Sequence, residues 1–280
     1  MTRDLSRHPE LLAINHATVR RRCDLPTLVG LCQRRGIRAI ATWRDLLGEG
    51  GAQASARLLR QAGLQVTGHC RAGLFAASGP AERAAILAEN RRAIDEAAEL
   101  GAQSLCVIAG GLPGGSRDLA AAHAEVHDGL GAMLEHARKA GVRIGLEPLH
   151  PMYAADRACV NTMRHANDLC DALGDGIGIL VDVYHVWWDP HLAPEIARAG
   201  AAGRILGFHV CDWLVPTRDF LTDRGMMGDG VIDIPRIRGM VEAAGYGGFV
   251  EVEIFSAENW WKRDPAEVLD TCMRRYASAC

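Results

Sequence analysis

Eight short apolar runs of β character alternate with eight Ala-, Arg-, Glu- and Leu-rich stretches of helical periodicity, with no linker or low-complexity segment between them. Strict alternation of this kind implies a parallel sheet with helices outside it. Eight such units in 280 residues predict a single (β/α)8 TIM barrel domain over residues 1–280, a fold of usually about 250 residues. A doubly wound sheet is the alternative. It usually carries a glycine-rich turn after the first strand, whereas this chain reads Asn15-His16-Ala17-Thr18 there, with no GxGxxG.

The first β run is 11–14, and a helix over 25–35 follows, closed by Gly36 at the position where glycine is favoured. The second run, 37–42, precedes a helix near 51–62 that ends at Gly63. The third, 64–68, leads to a long helix over 81–100, opened by Pro80 in the first turn and closed by Gly101. The fourth, 104–108, enters a glycine-rich loop at 110–115, and its helix over 118–140 stops at Gly141. The fifth, 142–146, ends in Glu147-Pro148, and Asn161 is placed to cap the next helix, which runs to about Leu173. The sixth run, 177–181, is followed by a short helix over 191–201. The seventh, 205–210, is followed by a long loop and a helix over 235–244 ending at Gly245. The eighth, 249–255, precedes the last helix, 265–276.

Composition narrows the function classes. Apolar residues make up 49% of the chain, enough for a sizeable core, and no apolar run reaches the ~18 residues of a membrane helix. No apolar leader is visible at the start. The net charge of −3 argues against broad binding to nucleic-acid phosphates. Nine scattered cysteines, without a CxxC pair, read as unpaired thiols of a reducing, cytoplasmic compartment. A homo-oligomer is compatible with all of this.

Catalytic groups of a barrel sit at the C-terminal ends of its strands. Those ends carry Asn15 and His16, Thr42 and Trp43, His69 and Arg71, Glu147 and His150, Asp182 and His185, His209 and Asp212, and Glu251 and Glu253. Glu147, Asp182, His209 and Glu253 end four successive runs and form an arc at one side of the mouth. Three carboxylates and an imidazole make a hard ligand set. It suits Mn²⁺ first, with Mg²⁺, Co²⁺, Fe²⁺ or Zn²⁺ also accommodated. Glu251 and Glu253 share a face, so one of them lies a layer deeper; Glu253 is the expected ligand. His69 is either a substrate contact or a hydrogen-bonded strand end. Asp212 is either a support for His209 or a cap. Trp187 and Trp188 either line the pocket or pack loops. The stretch 225–230 is glycine-rich enough to cradle a phosphate, without a P-loop pattern.

The segments GLEPLH, LVDVYHVWW, FHVCD and VEVEIF, in that order, resemble the xylose isomerase-like superfamily, and within it the sugar phosphate isomerase/epimerase branch. The resemblance implies a divalent metal held by Glu147, Asp182, His209 and Glu253. It implies substrate contacts from His185, three residues after Asp182, and from Arg224 ahead of Gly228-Asp229-Gly230, with Arg218 a weaker match. It also implies a metal-dependent isomerase or epimerase of a ketose or keto-acid. Glu147 and Glu253 would shuttle a proton beside the carbonyl while the metal stabilises the enediolate. The same first step would serve a lyase, either a keto-inositol dehydratase or an enzyme cleaving 3-keto-glycosides. An AP-endonuclease-like nuclease is a remoter relative and would need a larger metal cluster and a basic surface.

Overall fold

The structure is a computed structural model that describes residues 2–280. Eight parallel strands close into a barrel: β1 (Leu12–Asn15), β2 (Ala39–Trp43), β3 (Gln65–Gly73), β4 (Leu105–Ile108), β5 (Ile144–Leu146), β6 (Ile177–Asp182), β7 (Ile205–Val210) and, after a small ribbon described below, β10 (Val250–Val252). Around it run α1 (Leu25–Arg35), α2 (Gly51–Ala62), α3 (Pro80–Leu100), α4 (Leu119–Ala140), α5 (Met163–Leu173), α7 (Leu192–Ala201), α8 (Ile234–Ala243) and α9 (Pro265–Ala279). The single barrel expected from the alternation is thus the observed fold. No helix among the described residues is long and apolar enough to cross a membrane, and the nine cysteines are all buried and unpaired.

Local signals set most helix ends. Asp24, Asp118, Asp233 and Asp264 accept backbone N–H bonds at the N-termini of α1, α4, α8 and α9. Gly36, Gly63, Gly101 and Gly141 close α1 to α4 in the left-handed conformation. Asn161 does not cap α5: Thr162 does, and the Asn161 amide instead donates to the carbonyls of Leu149 and Ala158. That bond ties the long connection after β5 to the barrel rim.

Two cores share the strands. Outward residues such as Ile14, Ile40, Val107, Ile179 and Phe208 join the helices in one large cluster. Inside the barrel, Cys70, Cys106, Leu180 and Leu206 form a separate small one. Leu180 fits because two inward neighbours have no side chain; a Cβ on Gly145 or Gly207 would come within 2.8 Å of it. Asp182, two residues on from Leu180, points the same way one layer higher.

Three departures from the run-by-run expectation shape the mouth. The third strand continues to Gly73, and its register with β4 shifts between Cys70 and Ala72, making Arg71 an extra, bulged residue. After Asp182 the chain turns directly into a one-turn helix, α6 (Val183–Val186), which carries His185. Beyond β7 the long loop contains an antiparallel ribbon of β8 (Asp212–Trp213) and β9 (Arg224–Gly225), pairing Trp213 with Arg224.

Candidate functional site

The C-terminal mouth holds a cleft of about 320 Å³ with Glu147, His185, Arg224 and Glu253 among its lining residues. One ligand atom from each of Glu147, Asp182, His209 and Glu253 lies within 4.8 Å of the other three, and all four residues are buried. Ligands bonded to one ion at about 2.0–2.4 Å can stand no more than about 4–5 Å apart, so the quartet fits a single divalent cation.

The electrostatics point the same way. Three buried carboxylates in one place call for positive charge, and the chain supplies some of its own. Arg224, pinned by its backbone N–H to the Phe255 carbonyl at 2.9 Å, sends its guanidinium to Asp182 Oδ2 at 2.9 Å and Glu253 Oε2 at 3.1 Å. It lies 4.4 Å over the Tyr184 ring and 4.9 Å over that of Phe255. Burial would raise the Asp182 carboxyl, but the charges of Arg224 and His209 outweigh it and hold it below its ordinary value. Glu253 goes the other way: burial, with Glu147 nearby, pushes it up to about 8 despite Arg224.

His209 Nδ1 stands 3.1 Å from Glu147 Oε1. Burial disfavours its charge, yet Glu251 and Glu147 keep its pKa well above the usual imidazole range. A metal ion at this position would take the place of that proton. His185 is driven down to about 3 by burial, and so stays neutral. Its Nδ1 accepts the His150 backbone N–H at 3.3 Å, which leaves the ring proton on Nε2, 3.6 Å from Asp182 Oδ2 and beside Arg224 Nη2 at 3.2 Å.

Glu251 lies beside the quartet, one layer deeper than Glu253. In register it is paired with His209, whose Nε2 is 3.7 Å from its Oε1, and its two oxygens accept from Asn15 Nδ2 at 2.8 Å and Thr67 Oγ1 at 2.6 Å. Asn15 also donates to Glu253 Oε1 at 3.0 Å, so one amide braces both glutamates. Asn15 ends the first strand, which was the available sequence signal, but an uncharged amide drew no role.

Of the expected substrate contacts, His185 and Arg224 line the cleft. His69 and Trp187 lie elsewhere. Cys70 points into the barrel, so His69 points out to the helices, where Thr42 Oγ1 is 2.9 Å from Nδ1 and Glu96 Oε2 3.3 Å from Nε2. Trp187 packs on Trp213 at 5.7 Å and lines a separate cavity with Trp188, Asp189 and Arg236. Asp212 neither touches His209 nor caps a helix. Its carboxylate accepts the N–H groups of Trp213, Gly228, Gly230 and Ile232. Those bonds occupy two of the amides that a phosphate cradle at 225–230 would need. Gly230 permits the arrangement, since a Cβ there would sit 2.2 Å from the Trp213 carbonyl.

Further residues line the cleft beyond the expected substrate contacts, among them the strand-end residues Trp43 and Arg71. Trp43, Tyr153, Phe255 and Trp261 supply aromatic walls, and Arg20, Arg71 and Arg157 supply cations. Tyr153 and Tyr184 both donate to the Phe220 carbonyl, which holds the loop after β8 over the cleft and places Leu221 and Thr222 in its wall.

The family model described as xylose isomerase-like TIM barrel matches residues 29–272. A solved protein from Sinorhizobium meliloti 1021 is 56% identical, with a TM-score of 0.96 over 97% of this chain and 99% of its own. The IolI protein, solved with a zinc atom bound, reaches a TM-score of 0.81 at 20% identity, over 95% of this chain and 97% of its own, a likeness of fold. An inosose isomerase of Halalkalibacterium halodurans is 30% identical over 128 residues. That match spans less than half of either protein, 44% of this chain and 43% of the isomerase. With a closed eight-stranded parallel barrel and a family match over most of its length, the chain belongs to the xylose isomerase-like TIM barrel family.

Proposed function

We propose that this protein is a divalent-metal-dependent sugar isomerase or epimerase that moves a proton beside the carbonyl of a ketose or keto-acid. The observation that carries this reading is the quartet of Glu147, Asp182, His209 and Glu253 gathered within 4.8 Å, two of whose members line the cleft. Those four residues would hold the ion, with Mn²⁺ the first choice for an oxygen-rich set and zinc suggested by the IolI protein. When bound, the ion supplies Lewis-acid stabilisation of charge developing on substrate oxygens.

The chain's own groups divide the remaining work. Glu147 and Glu253 follow β5 and β10, the outer two of four neighbouring strands, so they flank Asp182 and His209. One removes the proton from the carbon next to the carbonyl, and the other returns it to that carbon's opposite face or to the neighbouring carbon. Neutral His185 and the Arg224 guanidinium orient substrate oxygens from one wall, and the loop tied at Phe220 limits water.

The test is solvent deuterium exchange into a panel of ketoses, keto-acids and keto-glycosides with added Mn²⁺. Exchange is expected for at least one substrate, and Glu147→Gln and Glu253→Gln should each lower its rate 10²-fold or more. Exchange undiminished in both variants would remove the two glutamates from the mechanism. Metal content unchanged in both Asp182→Ala and His209→Ala would remove the ligand set. Product analysis then separates isomerisation or epimerisation from elimination, since a lyase would release a fragment or water after the same exchange.

A further inference from the structure

We propose that the natural substrate carries an anionic group, a carboxylate or a phosphate, seated between Arg71 and Arg157 at the rim of the cleft. The word substrate rests on the isomerase reading above; the anion subsite rests on the charge arrangement itself.

Four arginines line the cleft, and they are not equivalent. Arg20 pairs with Asp45 and covers the Trp43 ring at 5.3 Å. Arg224 is committed to Asp182 and Glu253. Arg71 and Arg157 are both half-buried, and neither forms an ion pair among the described residues. Arg157 rests 5.9 Å from the Tyr153 ring, a contact that leaves its N–H fork free. Asp219 feels the charge of Arg157 but forms no ion pair with it, and it accepts the backbone N–H groups of Leu221 and Thr222 and the Thr222 hydroxyl. Placing an unpaired guanidinium half out of water is costly, and its planar fork matches a carboxylate or phosphate.

Arg71 reaches the cleft by a specific device. The bulge in β3 breaks the alternation that would otherwise carry Arg71 away from the inward-facing Cys70. The cleft is consequently dipolar, with Glu147 and Glu253 among the carboxylates at the floor and unpaired cations at the rim. A neutral sugar would satisfy the floor alone. A sugar with a carboxylate or phosphate at one end satisfies both, with Trp43, Tyr153, Phe255 and Trp261 against its carbon skeleton. The backbone amides after β9 are not an alternative anion site, because Asp212 holds those of Gly228 and Gly230.

The test is calorimetric titration of the Mn²⁺-loaded protein with D-fructose, D-fructose 6-phosphate and 5-keto-D-gluconate, followed by deuterium exchange with the same three. One charged probe is expected to bind about 10-fold or more tightly than fructose. Arg71→Gln and Arg157→Gln should each remove about 10-fold of that affinity, with fructose changed less than about 2-fold and Arg71→Lys recovering part of the loss. Whether the phosphate or the carboxylate probe shows the effect identifies the anion. Equal binding of all three, no binding of any, or a charge preference that survives both glutamine variants overturns the proposal. Arginine-dependent binding without exchange leaves the subsite standing and sinks the isomerase reading. Exchange into fructose without any charge preference does the reverse.

Discussion

Arg224 is the residue whose removal separates the structural and catalytic demands of the site most cleanly. The residue is 3% exposed, and its guanidinium is held between Asp182 and Glu253, which are 0% and 4% exposed. Arg224→Met keeps the length and apolar stem of the side chain and deletes the charge. In metal-free buffer it leaves two buried carboxylates without their counter-ion, and breaking such a buried pair typically costs about 3–5 kcal/mol. For a chain of this size, roughly 2 °C of melting temperature accompanies each kcal/mol, so a fall of about 6–10 °C is expected in EDTA. A divalent ion bound by the same carboxylates restores the missing charge. Saturating Mn²⁺, at about 100 times its dissociation constant, returns about 2.7 kcal/mol. The variant should therefore gain more from Mn²⁺ than the wild type, whose own guanidinium already neutralises the site. Thermal unfolding followed by circular dichroism, in EDTA and in Mn²⁺, measures both numbers. Should the variant fail to fold in EDTA, Arg224→Lys, which keeps one charge but not the fork, provides an intermediate point. A variant that melts within about 1 °C of wild type in EDTA would refute the counter-ion role. Equal Mn²⁺ gains in the two proteins would refute the shared site.

Three further outcomes follow from the geometry. Asn15→Ala removes the amide shared by Glu251 and Glu253 and should cost about 1–3 kcal/mol in urea unfolding, and Asn15→Asp, which adds a carboxylate, should cost more; neither change affecting stability would count against the brace. Glu96, raised by burial but lowered further by its bonds to His69 and Arg44, sits at about 2 against an ordinary 4.5. Its contribution of about 1–2 kcal/mol, reduced for partial exposure, is therefore fully present above pH 4.5 and lost as pH falls toward 2, so wild type and Glu96→Gln should converge in acid and differ at neutral pH. Gly230→Ala drives a methyl to 2.2 Å from the Trp213 carbonyl and should cost about 2–3 kcal/mol and open the loop over 226–232 to limited proteolysis; a wild-type cleavage pattern would contradict the Asp212 anchor.

The quartet of candidate metal ligands was legible because strand-end position and residue type suffice to nominate it. Each of the four acids or imidazoles follows an apolar run, and a barrel brings successive ends together. The pair Glu251 and Glu253 shows where that reasoning stops. Both face inward, and their roles separate only because Asn15 and Thr67, from the first and third strands, occupy the deeper one. His69 shows a parity problem: alternation says that His69 and Cys70 face opposite ways, but not which of them faces in. The small interior beside Leu180 accepted the cysteine. Trp187 was misplaced because the chain turns helical straight after Asp182, and one helical turn carries residue 187 off the cleft wall.

Local rules therefore decided the repeating β and α elements, most helix ends and the candidate ligands, since caps, periodicity and strand-end chemistry all act within a few residues. Long-range packing decided the rest. A bulge aimed Arg71, a ribbon folded Arg224 back across 42 residues of chain onto Asp182, and Asp212 closed the loop beyond it. Those placements depend on which strands and loops meet in a closed barrel, and the stretches that carry them give no sign of their partners.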